Sequence, residues 1–373
     1  MERLLYLSGR VANASINLSQ TNMKRRILLQ YCLVVLLLPV LFGACKKKHD
    51  DQPNPQSETD VYAVGRDSYI ATYWKNGAVV TLGKGSGSSD AKGIAMLGSD
   101  VYVVGFEINA NGKYVAKYWK NGVSTDLSDG TSDAIANDIV INGNDIYIVG
   151  QQSVSSTGKW SARYWKNGSP VSLSDGSVNT IANSIAIAGN DIYVIGQRSP
   201  DGITPLTCYW KNGQLNNLSD QSTYAADQAI AVAGNDVYTV WSASYNSSGK
   251  AQTRYAKNFG TPVLIADGTQ DSRGIAVAVS GADVYIAGTG PAADGKALAA
   301  KYWKNGNVVT LTSSSESAEA LSIAVSGNDV YVAGYLASGS SPAKATYWKN
   351  GTAVPLTNGK NDALVRKILV VKK

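Results

Sequence analysis

The residues able to do chemistry are few in this chain. Its single histidine, His49, lies in a polar stretch outside any regular pattern. A histidine base in the folded part is thereby excluded, and with it Ser-His-Asp and Cys-His catalysis. Zinc sites built on His and Cys are excluded on the same count. The cysteines are Cys32, Cys45 and Cys208. The first two fall in or directly after an N-terminal apolar run, so Cys208 has no disulfide partner and reads as a small strand residue. After Cys45, glutamate occurs only at Glu58, Glu107, Glu316 and Glu319. A paired-carboxylate mechanism would need aspartate partners that no spacing singles out. No Asp-x-Asp-x-Asp-Gly loop is present, so neither a metal nor a cofactor is expected.

Cys45 carries a different chemistry. Met23-Lys24-Arg25-Arg26 is followed by an apolar run from Ile27 to Phe42 and then Gly43-Ala44-Cys45. That order is a signal peptide, and Leu41-Phe42-Gly43-Ala44-Cys45 resembles a bacterial lipobox, in which the cysteine is lipidated. Residues 1–44 are therefore expected to be an upstream extension plus signal peptide, with a normal start at Met23. Residues 45–59 read as the lipidated cysteine and a polar linker. The expected setting is the bacterial outer membrane, on its periplasmic side or at the cell surface, with the membrane contacted through the lipid. From residue 45 onward the chain has 29 basic against 27 acidic residues. That balance gives no electrostatic case for nucleic acid.

Residues 60–373 are organised by a repeat. Tyr-Trp-Lys-Asn-Gly begins at Tyr73, Tyr118, Tyr164, Tyr209, Tyr302 and Tyr347, and Tyr255-Ala-Lys-Asn-Phe-Gly fills the gap. In step runs Asp-Val/Ile-Tyr, beginning at Asp60, Asp100, Asp145, Asp191, Asp236, Asp283 and Asp329. A period of about 45 residues repeated seven times is the signature of a closed array. Each unit reads as four strands. Gly189-Asn190 turns a small apolar strand into Asp191–Gly196, and Asn212-Gly213 turns the strand ending Tyr209-Trp210-Lys211 into a polar outer one. Pro170, Pro262 and Pro355 suit an outer edge. The fold predicted is all-β: a seven-bladed β-propeller of four-stranded antiparallel blades. The first unit lacks its innermost strand, and Asp362–Val371 aligns with Asp133–Asn142. The C-terminal strand should therefore join the N-terminal blade and close the ring. In the fifth unit Trp241 replaces a glycine while Ala256 replaces a tryptophan. This exchange suggests that glycine in the second strand makes room for tryptophan in the third.

These units resemble those of uncharacterised Bacteroidota lipoproteins with tandem Tyr-Trp-Lys-Asn-Gly repeats. The resemblance implies a propeller in a bacterial envelope and brings no activity with it. Tight turns gather on one face. Lys75, Lys120, Lys166, Lys211, Lys257, Lys304 and Lys349 form a basic ring there, either a solvated edge or a surface for anionic headgroups. The longer loops gather on the other face, with Phe106, Trp160, Tyr224, Tyr245 and Tyr335 as candidate ligand-binding aromatics. Asp129, Asp175, Asp220 and Asp267 on that face read as turn formers. The function expected from sequence is a monomeric, non-catalytic, lipid-anchored binding or scaffold protein that takes a protein or glycan on the loop face. The alternatives are a carbohydrate-active hydrolase or lyase with Asp/Glu at the channel mouth, and a structural component of an envelope complex.

Overall fold

The computed structural model describes residues 59–83, 87–218, 224–244, 250–267, 269–313 and 316–373, with Tyr224 and Ser244 described by backbone only. The expectations for residues 1–58, Cys45 among them, lie outside these. Among the described residues the regular elements are 28 strands in seven four-stranded antiparallel sheets. Blade 1 runs outward in the order Ala363–Lys372, Thr59–Asp67, Ile70–Lys75, Ala78–Thr81. The innermost strand comes from the end of the chain, paired Asp60↔Val371 through Asp67↔Ala363, so the predicted closure is observed. Blades 2 to 7 each take four consecutive strands, beginning with Ser89–Leu97, Ala134–Asn142, Asn179–Ala188, Tyr224–Ala233, Arg273–Ser280 and Ser317–Ser326.

The core lies in the seams between blades. Trp119 of blade 2 packs against Tyr62, Val64 and Ala71 of blade 1. Trp165 packs on blade 2 and Trp210 on blade 3 in the same manner. Trp74, Trp119, Trp165, Trp210 and Trp348 are fully buried. Each such ring removes enough apolar surface that truncation to alanine costs about 3–5 kcal/mol.

One end of every blade is tied by the two repeated motifs together. In blade 4, Asn212 stands at φ 51° and Gly213 at φ 85°, the conformation a tight hairpin requires. Asn212 Nδ2 donates to Asp191 Oδ1, and Asn212 Oδ1 accepts from the Ile192 N–H. Lys211 Nζ lies 2.8 Å from Asp191 Oδ2 and 5.3 Å above the Tyr193 ring. The same clasp recurs in all seven blades. It explains why the two motifs keep step. It also decides the lysine ring: each ammonium is matched by an aspartate, so this face carries paired charge and not an uncompensated positive field. The hydrogen bonds and the ammonium hold Asp191 below its ordinary range, and Asp191 in turn raises Lys211.

The glycines of the second strands have another reason than the one predicted. A Cβ at Gly196 would lie 2.0 Å from the Ile181 carbonyl oxygen, and at Gly105, Gly150, Gly288 and Gly334 1.8–1.9 Å from the equivalent oxygens. The glycine admits the backbone of the innermost strand, not the tryptophan of the third. Blade 5 shows what happens without it. There Ala226↔Ser242 and Ala229↔Val240 pair, while Asp227 and Gln228 swing free of the register opposite Trp241, with Asp227 at φ 54°. Trp241 packs on Ala256 and Leu218, the niche that in blade 4 belongs to Trp210.

Candidate functional site in the axial channel

The kink that glycine permits recurs around the ring. In six blades the innermost strand leaves one residue out of register, bulged toward the axis, and in blade 5 it leaves two, Asp227 and Gln228. These residues form three arcs around a cavity of about 300 Å³. Blades 1 and 2 present Arg366 and Lys92. Blades 3, 4 and 5 present the amides Asn137, Asn183 and Gln228. Blades 6 and 7 present Ile275 and Leu321. The repeat is sevenfold, yet its channel is cationic on one side, amide-lined on another and apolar on the third.

The charges are arranged unevenly. Arg366 donates from Nε and Nη2 to Asp90 Oδ2 at 3.1 and 2.9 Å. Lys367 of blade 1 reaches Asp138 of blade 3, its Nζ 3.2 and 3.3 Å from the two carboxylate oxygens. Asp138 also accepts from the Ser184 hydroxyl at 2.7 Å. This tie passes blade 2 because Gly93 stands there; a Cβ would approach the Asp138 Cα to 3.0 Å. Arg273 grips Asp227 through two 2.7 Å bonds. Lys92 differs: among the described residues it has no hydrogen-bond or ion-pair partner. Its pKa is pushed down to about 8, chiefly by burial and further by the charge of Arg366, against a smaller opposing pull from Asp90. Asn183 donates to Gln228 Oε1. That leaves Gln228 Nε2 a buried donor without a partner on a residue only 5% exposed. Asp90 Oδ1 is likewise buried and unmatched. An ammonium short of a counterion and an amide short of an acceptor line one cavity, and both suit an anion.

Among the described residues, the aromatics picked from the sequence lie on three different blades. Phe106 on blade 2 packs edge-on against Tyr114 of its own blade, centroids 5.0 Å apart. Trp160 opens the third strand of blade 3, opposite Ser153, and its backbone N–H donates to Asn179 Oδ1. Tyr335 on blade 7 pairs with Glu319, and its hydroxyl is pushed up to about 12, first by burial and then by that carboxylate. The Tyr224 side chain and Tyr245 lie outside the described residues. Asp129, Asp175 and Asp267 cap their own turns, accepting from the N–H of Thr131, Ser177 and Thr269, as a turn role requires; Asp220 is outside the described residues. Cys208 is buried, and burial drives its thiol up to about 12. The sequence reading missed the channel ring. The signal was present in a position that follows Ala or Gly in five of the seven innermost strands and differs among the units.

No family model matches the chain, and no curated protein matches it. Solved structures do. The acylaminoacyl peptidase of Pyrococcus horikoshii superposes with a TM-score of 0.50 at 13% identity, over 81% of this chain and 51% of that one. The β-propeller domain of the Trilobed protease from Pyrococcus furiosus gives 0.48 at 11%, over 81% and 95%. A puromycin-hydrolyzing peptidase of Mycobacterium tuberculosis gives 0.49 at 11%, over 71% and 46%. This chain thus spans about half the length of those two peptidases. At such identity the likeness establishes the fold alone. The binding or scaffold role expected from the loop face is corrected on this finding: the matching structures belong to peptidases, and what they support for this chain is the propeller fold. What stands is a seven-bladed β-propeller of the architecture found in peptidase propeller domains.

Proposed function

We propose that this propeller captures a small organic anion in its axial channel and carries out no covalent chemistry of its own. The observation that carries this reading is Lys92, the channel cation with no hydrogen-bond or ion-pair contact among the described residues, whereas Arg366, Lys367 and Arg273 are each matched. A carboxylate or phosphate beside Lys92 would pair with its ammonium and raise its pKa, and Gln228 Nε2 supplies a donor within the same cavity. Ile275 and Leu321 offer the remaining arc to a short hydrocarbon portion. Other charged pairs around the ring hold it in shape, so the site is largely formed before the ligand arrives.

Isothermal titration with straight-chain carboxylates from acetate to hexanoate, and with inorganic phosphate, tests this. Affinity should rise with chain length as apolar surface is covered, and Lys92→Met should abolish the heat without lowering the melting temperature, since it removes a buried ammonium. Binding should weaken about tenfold between pH 7 and pH 9 as free Lys92 loses its proton near pH 8. Silence across the series, or equal heats with Lys92→Met, would defeat the reading.

A further inference from the structure

The seam between blades 4 and 5 holds a residue that no other hairpin carries. Phe259 is an extra member of the Asn258-Phe259-Gly260 turn of blade 5, at φ 57°. Its ring lies flat on Tyr209 of blade 4, with centroids 3.8 Å apart and an 11° angle, and stacks on Tyr193 at 5.5 Å. Leu218 and Val237 complete its surroundings. The molecule therefore shows what fits in a seam at this depth.

One blade earlier the same place is open. A cavity of about 150 Å³ lies between blades 3 and 4. Its walls correspond position by position to those around Phe259. Tyr164 stands for Tyr209, Leu173 for Leu218, Ile192 for Val237 and Asn212 for Asn258. Where blade 5 inserts the phenylalanine, blade 4 has Gly213 directly after Asn212. The Tyr147 ring, equivalent to Tyr193, sits beside Tyr164 at 6.5 Å. An apolar cavity of roughly this size is enough for a benzene ring, and an open tyrosine face gains from offset stacking.

We propose that the groove between blades 3 and 4 is a docking pocket for a phenylalanine side chain presented on a peptide turn. The occupant is argued from Phe259, which reaches the equivalent groove from a tight turn with its backbone outside. Asn212 and Gly213 are exposed at the mouth, so a second chain can bring its backbone to the position that residues 258–260 hold one blade on. This pocket is separate from the axial channel and stands whether or not the channel binds an anion.

The test is methyl NMR on the isoleucine-labelled full chain, with the Ile192 signal assigned by Ile192→Val. The probes are the capped peptides Lys-Asn-Phe-Gly and Lys-Asn-Ala-Gly. The phenylalanine peptide should shift Ile192 saturably at millimolar concentration. The alanine peptide should not. Ile230, beside the groove that Phe259 fills, should stay still with both. A second variant, with phenylalanine inserted between Asn212 and Gly213, should remove the response and raise the melting temperature. An unmoved Ile192, an equal response to both peptides, or a response that survives the insertion would each overturn the proposal.

Discussion

Replacing Lys367 by methionine isolates the tie across the channel. The ammonium is 3.2 Å from Asp138, whose side chain is 6% exposed, while the lysine itself is 38% exposed. Breaking a buried pair costs about 3–5 kcal/mol because one charge is stranded, and exposed pairs are worth about 0.2–1. With one partner half in solvent, and with the Ser184 hydroxyl still bonded to Asp138, the expected cost is about 2 kcal/mol. In a domain of this size that lowers the melting temperature by roughly 4 °C. Adding Asp138→Asn removes the stranded charge and should recover about 1 kcal/mol, so the double variant should be more stable than Lys367→Met alone. Urea unfolding of the four proteins, at low salt and again in 1 M NaCl, measures this. The coupling should persist in salt, which screens exposed pairs far more than this half-buried one. A single variant within about 0.5 kcal/mol of the parent, or strictly additive effects, would show that Lys367 and Asp138 are merely neighbours.

Gly196→Ala should cost at least about 3 kcal/mol in urea, because its Cβ would meet the Ile181 carbonyl at 2.0 Å and backbone cannot step aside as a side chain can; a loss under 1 kcal/mol would contradict the close approach. Lys92 has a folded pKa near 8 against an ordinary 10.5, so between those values the unfolded chain holds more protons. Stability should therefore rise with pH across that window, by at most about 3 kcal/mol; parallel pH profiles for the parent and Lys92→Met would refute the assignment. In blade 5, Ala256→Trp should destabilise by overpacking against Trp241, and Trp241→Gly should relieve it in the double variant, as read by thermal melting; additive losses would mean that the two indoles do not compete for one niche.

The sequence revealed what the repeat imposes and hid what breaks it. Strand order, hairpin turns and closure follow from motifs that recur because every blade needs the same clasp and the same buried indole. Asp191, Lys211 and Asn212 are legible for that reason, although their mutual bonds are not. The channel ring escaped notice because a bulged residue has no register partner and no seam to fill. Its identity is free to run through Lys92, Asn137, Gln228 and Leu321, and positions that vary in this way look like noise. The glycines were noticed with a mistaken cause, since a backbone oxygen pressing on Gly196 leaves no trace in composition. For the loop aromatics the pattern gives a residue's face but not its neighbours, such as Tyr114 beside Phe106.

The seam at blade 1 and the ligand cavity share their parts. Arg366 and Lys367 belong to the strand that closes the ring, whereas Lys92 and Asp138 belong to blades 2 and 3. Whatever sits among these groups bridges the two sides of the join, like a rivet through overlapping plates. Peeling of that strand would scatter the cationic arc and release the occupant, so an occupant that binds only the closed ring must resist the peeling by RT ln(1 + [L]/Kd). Hydrogen exchange of residues 363–372 would then report occupancy of the cavity along the whole length of the closing strand, well beyond Arg366 and Lys367.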